Sequence, residues 1–135
     1  MPKAKAPWFV RFVLHTKDED SGRRAGVFQA AYDLRESTEL GEGESSRLGE
    51  ILAWFGRHLP TPDRFAISSR PHRKAQAISW LKESAIEHVD QMHAMVTILE
   101  AHGLVVDRIR TRRPGYVVYE DEHQVAAYPF ADTPT

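Results

Sequence analysis

The chain has 135 residues, no cysteine, 41% hydrophobic and 27% charged residues, and a formal net charge of -1. These values fit one globular domain that can bury a core without staples. They exclude disulfides, cysteine-ligated zinc and thiol catalysis, fit the cytoplasm, and argue against a dedicated nucleic-acid binder with a strongly basic surface.

Residues 1–7 carry lysines but no signal-peptide-like apolar run, and read as a flexible tail. Trp8 to His15 (WFVRFVLH) has apolar residues on both faces, which predicts a strand buried on both sides. Thr16 to Arg24 is a charged loop in which Asp20 or Ser21 is placed to cap the next element. Ala25 to Glu36 fits two templates. Val27, Phe28, Ala31, Leu34 and Arg35 share a helical face, whereas Phe28, Ala30, Tyr32 and Leu34 alternate as in a strand. Gln29, the alanines and the leucine are good helix formers and favour the helix. Ser37 to Gly43 has no period and breaks the chain. Ser45 or Ser46 then opens a helix with Leu48, Ile51, Leu52, Phe55 and Leu59 on one stripe, ended by Pro60 and Pro62. Phe65 and Ile67 are placed to fill the core from the loop beyond.

Pro71 to His102 reads as one helix about 45 Å long. Ala77, Leu81, Ala85, His88, Met92, Met95, Val96 and Leu99 form its apolar stripe, Ser69 is its cap and Gly103 its stop. Leu104 to Thr111 is then a strand, Pro114-Gly115 a turn, Tyr116 to Tyr119 a strand, Glu120 to His123 a turn, and Gln124 to Tyr128 a strand. Ala131 to Thr135 is expected to fray. The order predicts an α+β fold over residues 8–130, with three helices packed on one antiparallel sheet of about four strands. No run is apolar for long enough to span a membrane.

The closing segment PGYVVYEDEHQVAAYPF, together with LAWFGRHLPTPDRF, resembles a family of small uncharacterised bacterial proteins. The resemblance extends from about Val27 onward. It implies a bacterial single-domain protein and brings no activity, cofactor or catalytic residue.

Four groups of side chains bear on function. His88 lies near the middle of the apolar stripe, where burial disfavours the charged ring. In a small enzyme it would be the acid or base of a pocket between helix and sheet, beside Tyr119 or Tyr128; in a scaffold it is a core histidine with both nitrogens satisfied. Asp90 and His93 have the i, i+3 spacing of di-metal bundles, but no Glu-x-x-His or HExxH occurs and no metal site is expected. No GxSxG, S-x-x-K or Gly-rich phosphate loop is expected, so hydrolase and kinase readings have no anchor, and no cofactor is expected either.

Two basic segments remain. Arg64, Arg70, His72, Arg73 and Lys74 gather at the start of the long helix, where cations oppose the helix dipole unless an anion sits among them. Ser69, Arg70, His72, Arg73 and Lys74 are the predicted anion site; the alternative is a solvated loop neutralised by the acidic stretch Asp33 to Glu50. Arg108, Arg110 and Arg112 alternate along one strand and share a face, with Arg113 at the turn. They form a second basic surface for nucleic acid or an acidic partner, with Tyr116 and Tyr119 placed to stack on bases, or else an ion-paired or charge-guarded strand. Trp54 and Trp80, off the centre of their stripes, offer a patch for homo-oligomer formation. The functional expectation is a non-enzymatic binding or regulatory module for an anionic group or a protein partner; the rival is a small enzyme built on His88.

Overall fold

The computed structural model describes residues 7–17, 24–61 and 77–135. In chain order these form β1 (Phe9–Lys17), β2 (Arg24–Gly26), α1 (Val27–Glu36), α2 (Glu42–His58), β3 (Ile78–Lys82), α3 (Ile86–Ala101), β4 (Val106–Thr111), β5 (Tyr116–Glu120) and β6 (Gln124–Tyr128). The class is α+β, as expected, with three helices and an antiparallel sheet among the described residues. The sheet is larger than expected: its strands follow the order β2-β1-β3-β6-β5, and β4 pairs with β1.

The long helix is the expectation that fails. Ile78–Lys82 is a strand, hydrogen-bonded on both sides. It pairs with β1 through Phe9↔Lys82 and Val10↔Leu81, and with β6 from Ile78↔Ala127 to Leu81↔Gln124. Ile78 and Trp80 are buried while Ser79 between them is exposed, the period of two that a strand imposes. Ala77, Leu81 and Ala85 happen also to lie four apart, which extended the helical stripe into a segment whose isoleucine and tryptophan favour β structure. The backbone turns at Glu83-Ser84, closed by the Ala85 N–H donating to Lys82 O at 2.9 Å, and α3 starts only at Ile86.

From there the stripe holds: His88, Met92, Met95 and Leu99 are buried. Gly103 stops the helix with φ +87°. The Leu104 N–H donates to Leu99 O at 3.2 Å and the Gly103 N–H to Glu100 O at 3.1 Å. That pair of bonds is a Schellman motif, which needs a left-handed residue and so favours glycine.

Smaller differences concern helix starts. Helix α2 begins at Glu42 behind Gly41, not at Ser45 or Ser46; no side chain caps it, and Glu42 and Glu44 in its first turn suit the dipole instead. Helix α1 begins at Val27, and Arg24–Gly26 before it is a short strand. The expected caps Asp20 and Ser21, the core plugs Phe65 and Ile67, and Ser69 and Pro71 lie outside the described residues.

The chain divides into two compact units. The first comprises Met1–Arg11, Thr61–Ile86 and Ile109–Thr135. It contains β3, β5, β6 and the start of β1, and its core joins Phe9, Ile78, Trp80 and Val125, with Ile109 packed against them. The second comprises Phe12–Pro60 and Glu87–Arg108. Its helices bury Val27, Ala30, Ala31 and Leu34 from α1, and Leu48, Ile51, Leu52 and Phe55 from α2. The Phe28 and Phe55 rings meet edge to face at 5.0 Å between centroids.

In the first unit, Pro114-Gly115 makes the turn into β5, as its sequence predicts. Gly115 has φ +128°, and a Cβ there would lie 1.9 Å from Tyr128 O. Thr133 is buried near the end of the chain: its hydroxyl accepts from the Phe130 N–H at 2.9 Å and donates to Arg113 O at 3.3 Å. Gly115→Ala should therefore lower the unfolding free energy by about 2–4 kcal/mol in urea melts. Gly56→Ala, inside α2 with open space around it, should raise it by about 0.5–1 kcal/mol. Equal melts for the two variants would contradict the Gly115 geometry.

Candidate functional site

His88 belongs to the second unit and is 4% exposed. Its Nε2–H donates to His58 O at 2.7 Å. His58 is the last residue of α2, and a helix leaves its final carbonyls without intrahelical partners. One histidine on α3 thus closes the C-terminal end of α2. Trp54 presses on both rings, edge to face against His88 at 4.7 Å and tilted against His58 at 4.6 Å between centroids. A sealed ring with a nitrogen committed to a carbonyl has the hydrogen bonding of a core histidine. At the other end of the same helix pair, His102 Nε2 contacts both carboxylate oxygens of Glu44 at 3.1 Å.

Tyr119 and Tyr128, the proposed partners of His88, belong to the first unit. The Tyr119 hydroxyl donates to Asp121 at 2.8 Å; the Tyr128 hydroxyl and Trp80 Nε1 are buried without a hydrogen-bond partner among the described residues. Trp80 is 1% exposed and Trp54 is half-buried, so Trp80 contributes nothing to an exposed self-association patch.

Asp121 holds the turn between β5 and β6. Besides Tyr119, its carboxylate accepts from the His123 and Gln124 backbone N–H groups at 2.8 and 3.0 Å and from Gln124 Nε2 at 2.9 Å. Partial burial pushes its pKa up, but the four hydrogen bonds together outweigh that and hold it below the usual carboxylate value. A carboxylate stabilised in its ionised form fastens a turn and is a poor proton donor.

The metal and nucleophile motifs find no support in the geometry. Among the described residues no three of histidine, aspartate and glutamate converge as metal ligands. Asp90 and His93 are exposed, and the His93 ring lies edge to face on Phe12 at 5.3 Å. Contrary to the expectation that no S-x-x-K is present, Ser79 and Lys82 do have that spacing, which acyl-transfer enzymes use. That spacing aligns a nucleophile and a base only on a helix; on β3, residues three apart point to opposite faces. Lys82 pairs instead with Glu120.

The basic segments fare differently. Ser69, Arg70, His72, Arg73 and Lys74 lie outside the described residues. The alternating arginines, Arg108 and Arg110 on β4 and Arg112 just after it, are described, and each meets an aromatic ring. Arg108, in the second unit, lies over Phe12 at 5.9 Å. In the first unit, Arg110 and Arg112 both lie over the indole of Trp8, with guanidinium carbons 4.1 and 4.5 Å from its centroid. Arg110 also grips Glu83 with two hydrogen bonds, Nε to Oε2 at 2.7 Å and Nη2 to Oε1 at 2.8 Å. That bond is the main reason its pKa rises above the ordinary arginine value, with desolvation opposing it. Arg113 lies over Phe130 at 5.1 Å and reaches Asp132 at 3.3 Å.

Among the arginines of the first unit that lie over Trp8 and Phe130, Arg112 is the exception: it is exposed and, like Arg108 of the second unit, has no carboxylate partner among the described residues. The backbone that carries it is fixed: the Thr111 hydroxyl, in a buried residue, accepts from the Arg113 N–H at 3.0 Å and turns the chain after β4. Trp8 and Phe130, the rings that seat these arginines, carry no motif of their own. The available signal is indirect: alternating cations on a strand need something to lie against, and aromatic residues just outside neighbouring strands can supply it.

No protein-family profile, curated protein or solved structure matches this chain.

For Asp121 the pH dependence has a definite sign. Its folded pKa is lower than the unfolded value of about 3.9. The stability it contributes is therefore fully present above that value and is lost as pH falls through the folded pKa. The melting-temperature gap between the wild type and Asp121→Asn should be widest near neutral pH and shrink as the solution is acidified below about pH 4. A gap that stays constant into strong acid would show that the ionised carboxylate is not what fastens the turn.

Proposed function

We propose that this chain is a non-enzymatic binding module that recognises an anionic group through Arg112, seated on Trp8. The observation that carries the reading is the contrast among three neighbouring arginines. Arg110 and Arg113 are ion-paired with Glu83 and Asp132, whereas Arg112 is exposed, oriented by an aromatic ring and unmatched by any carboxylate among the described residues. A cation–π contact at an exposed site contributes about 0.5–1 kcal/mol. That is enough to bias the side chain toward one position, and it occupies none of the guanidinium N–H donors. A planar fork of donors held in place suits bidentate binding of phosphate or carboxylate. Arg110, tied to Glu83 over the same indole, helps to hold the ring.

The sealed environment of His88 gives the enzymatic reading no comparable support. The bacterial and cytoplasmic setting forms part of this proposal, supported by the resemblance of the closing segment and by the absence of cysteine.

Calorimetric titration with inorganic tripolyphosphate at low salt tests the reading. Arg112→Ala should weaken binding at least about five-fold, roughly 1 kcal/mol, with an unchanged melting temperature. Arg112→Lys should restore only part of the loss, because a point charge cannot reproduce the fork. Wild-type affinity in Arg112→Ala, or no binding by the wild type, would overturn the proposal.

A further inference from the structure

Arg112 and Arg113 are consecutive, and each guanidinium lies on an aromatic ring, Trp8 for the first and Phe130 for the second. Resting on the anion-binding reading above, we infer that the anion is the phosphate backbone of a single-stranded nucleic acid, whose bases stack at this cation–aromatic surface.

Three observations point to that class. Two guanidinium groups carried by consecutive residues provide donors for phosphates, and the ion pair that occupies Arg113 is readily exchanged. Its distance to Asp132 is 3.3 Å and both side chains are at least two-thirds exposed, so water screens the pair and a phosphate can replace the carboxylate. Exposed aromatic rings occur near Arg113 in space or in sequence. Phe130 is 40% exposed, and Tyr116, three residues beyond Arg113 at the start of β5, is 52% exposed. Rings on which a base can stack are what a single strand uses and an acidic peptide does not need. The backbone beneath is anchored on both sides of Arg113. Its N–H donates to Thr111 and its carbonyl accepts from Thr133, so the two arginines project from a fixed turn.

A duplex fits less well, because its bases are already stacked on one another and are offered only at groove edges. Tyr119, the other tyrosine expected to stack on bases, is half-buried with its hydroxyl on Asp121, and takes no part in this surface.

The modest charge sets the expected behaviour. Two phosphate contacts imply a shallow salt dependence, with log Kd rising by about 1.4 per decade of salt for a single strand. Affinity should therefore depend visibly on stacking, which contributes about 1–3 kcal/mol per base.

The experiment is fluorescence anisotropy with a labelled oligouridine of about eight nucleotides, compared with an abasic oligomer of the same backbone and charge. Tripolyphosphate and polyglutamate serve as competitors. Oligouridine should bind at least about five-fold more tightly than the abasic strand, with the shallow salt slope above. Phe130→Leu, which keeps apolar packing but removes the ring, combined with Tyr116→Ser, should close that gap while the thermal melt stays unchanged; if the pair melts early, Tyr116→Ser alone should narrow it. Equal binding of oligouridine and the abasic strand would overturn the nucleic-acid inference and leave the anion-binding reading standing. Failure of oligouridine, abasic strand and tripolyphosphate alike would overturn both. Stronger competition by polyglutamate than by unlabelled oligouridine would replace nucleic acid with an acidic protein partner, and undiminished oligouridine binding by the Arg112→Ala, Arg113→Ala double variant would move the contact elsewhere.

Discussion

Burying Trp80 dictates much of what surrounds it. A tryptophan at 1% exposure can sit on a five-residue segment only if the backbone there finds partners for its N–H and C=O groups, because unpaired buried amides cost more than the burial returns. Strand β3 meets that condition by pairing with β1 on one side and β6 on the other. The register then fixes the neighbours. Phe9 stands opposite Lys82, so Trp8 arrives beside Glu83, and the Glu83 N–H donates to Trp8 O at 3.0 Å. The indole and the carboxylate that receive Arg110 are thus brought together by a strand pairing set by the core.

That pairing produces a division of labour among the arginines. Arg110 satisfies Glu83 bidentately and lies against the indole; Arg113 is shared between Phe130 and Asp132; Arg112 uses the same indole with no acidic partner among the described residues. A protein with net charge near zero can in this way keep an oriented cation for a ligand while neutralising Arg110 and Arg113 beside it. The contrast with His88 is instructive. Both residues are titratable or charged groups packed against tryptophan, but His88 is sealed and spends its Nε2–H on the end of a helix, whereas Arg112 faces water with its donors available. Burial and hydrogen-bond partners, and not residue type, separate the structural group from the one proposed to bind.

Local signals in the chain were legible. Gly103 ends α3 through a motif whose bonds span only six residues, Leu99 to Leu104, and Pro114-Gly115 and the acidic turn around Asp121 bound β5 and β6 where the sequence places them. The stripe of α2 and its stop before Pro60 were equally plain, since both depend on helix period and proline chemistry. The segment Ile78–Lys82 was not, because its helical and extended readings share Leu81 and Ala85, and the deciding factor is pairing with β1 and β6, far away in sequence. The candidate site divides in the same way. The alternation of Arg108, Arg110 and Arg112 was visible along one short segment, but the rings they lie over were not, because Phe12 and Trp8 come from the far end of the chain. That Arg108 belongs to a different compact unit from Arg110 and Arg112 is likewise a property of packing.

Whether Arg112 on Trp8 is the contact point for an anion can be read residue by residue in a two-dimensional NMR titration of the full chain with tripolyphosphate. Progressive shifts are expected for the Trp8 indole N–H and for the Arg112 and Arg113 side-chain Nε–H signals, while the Trp54 indole and the His88 ring remain in place. Shifts confined to Trp54 and His88, or a titration that leaves Trp8 and Arg112 unmoved while the phosphate binds, would contradict that assignment.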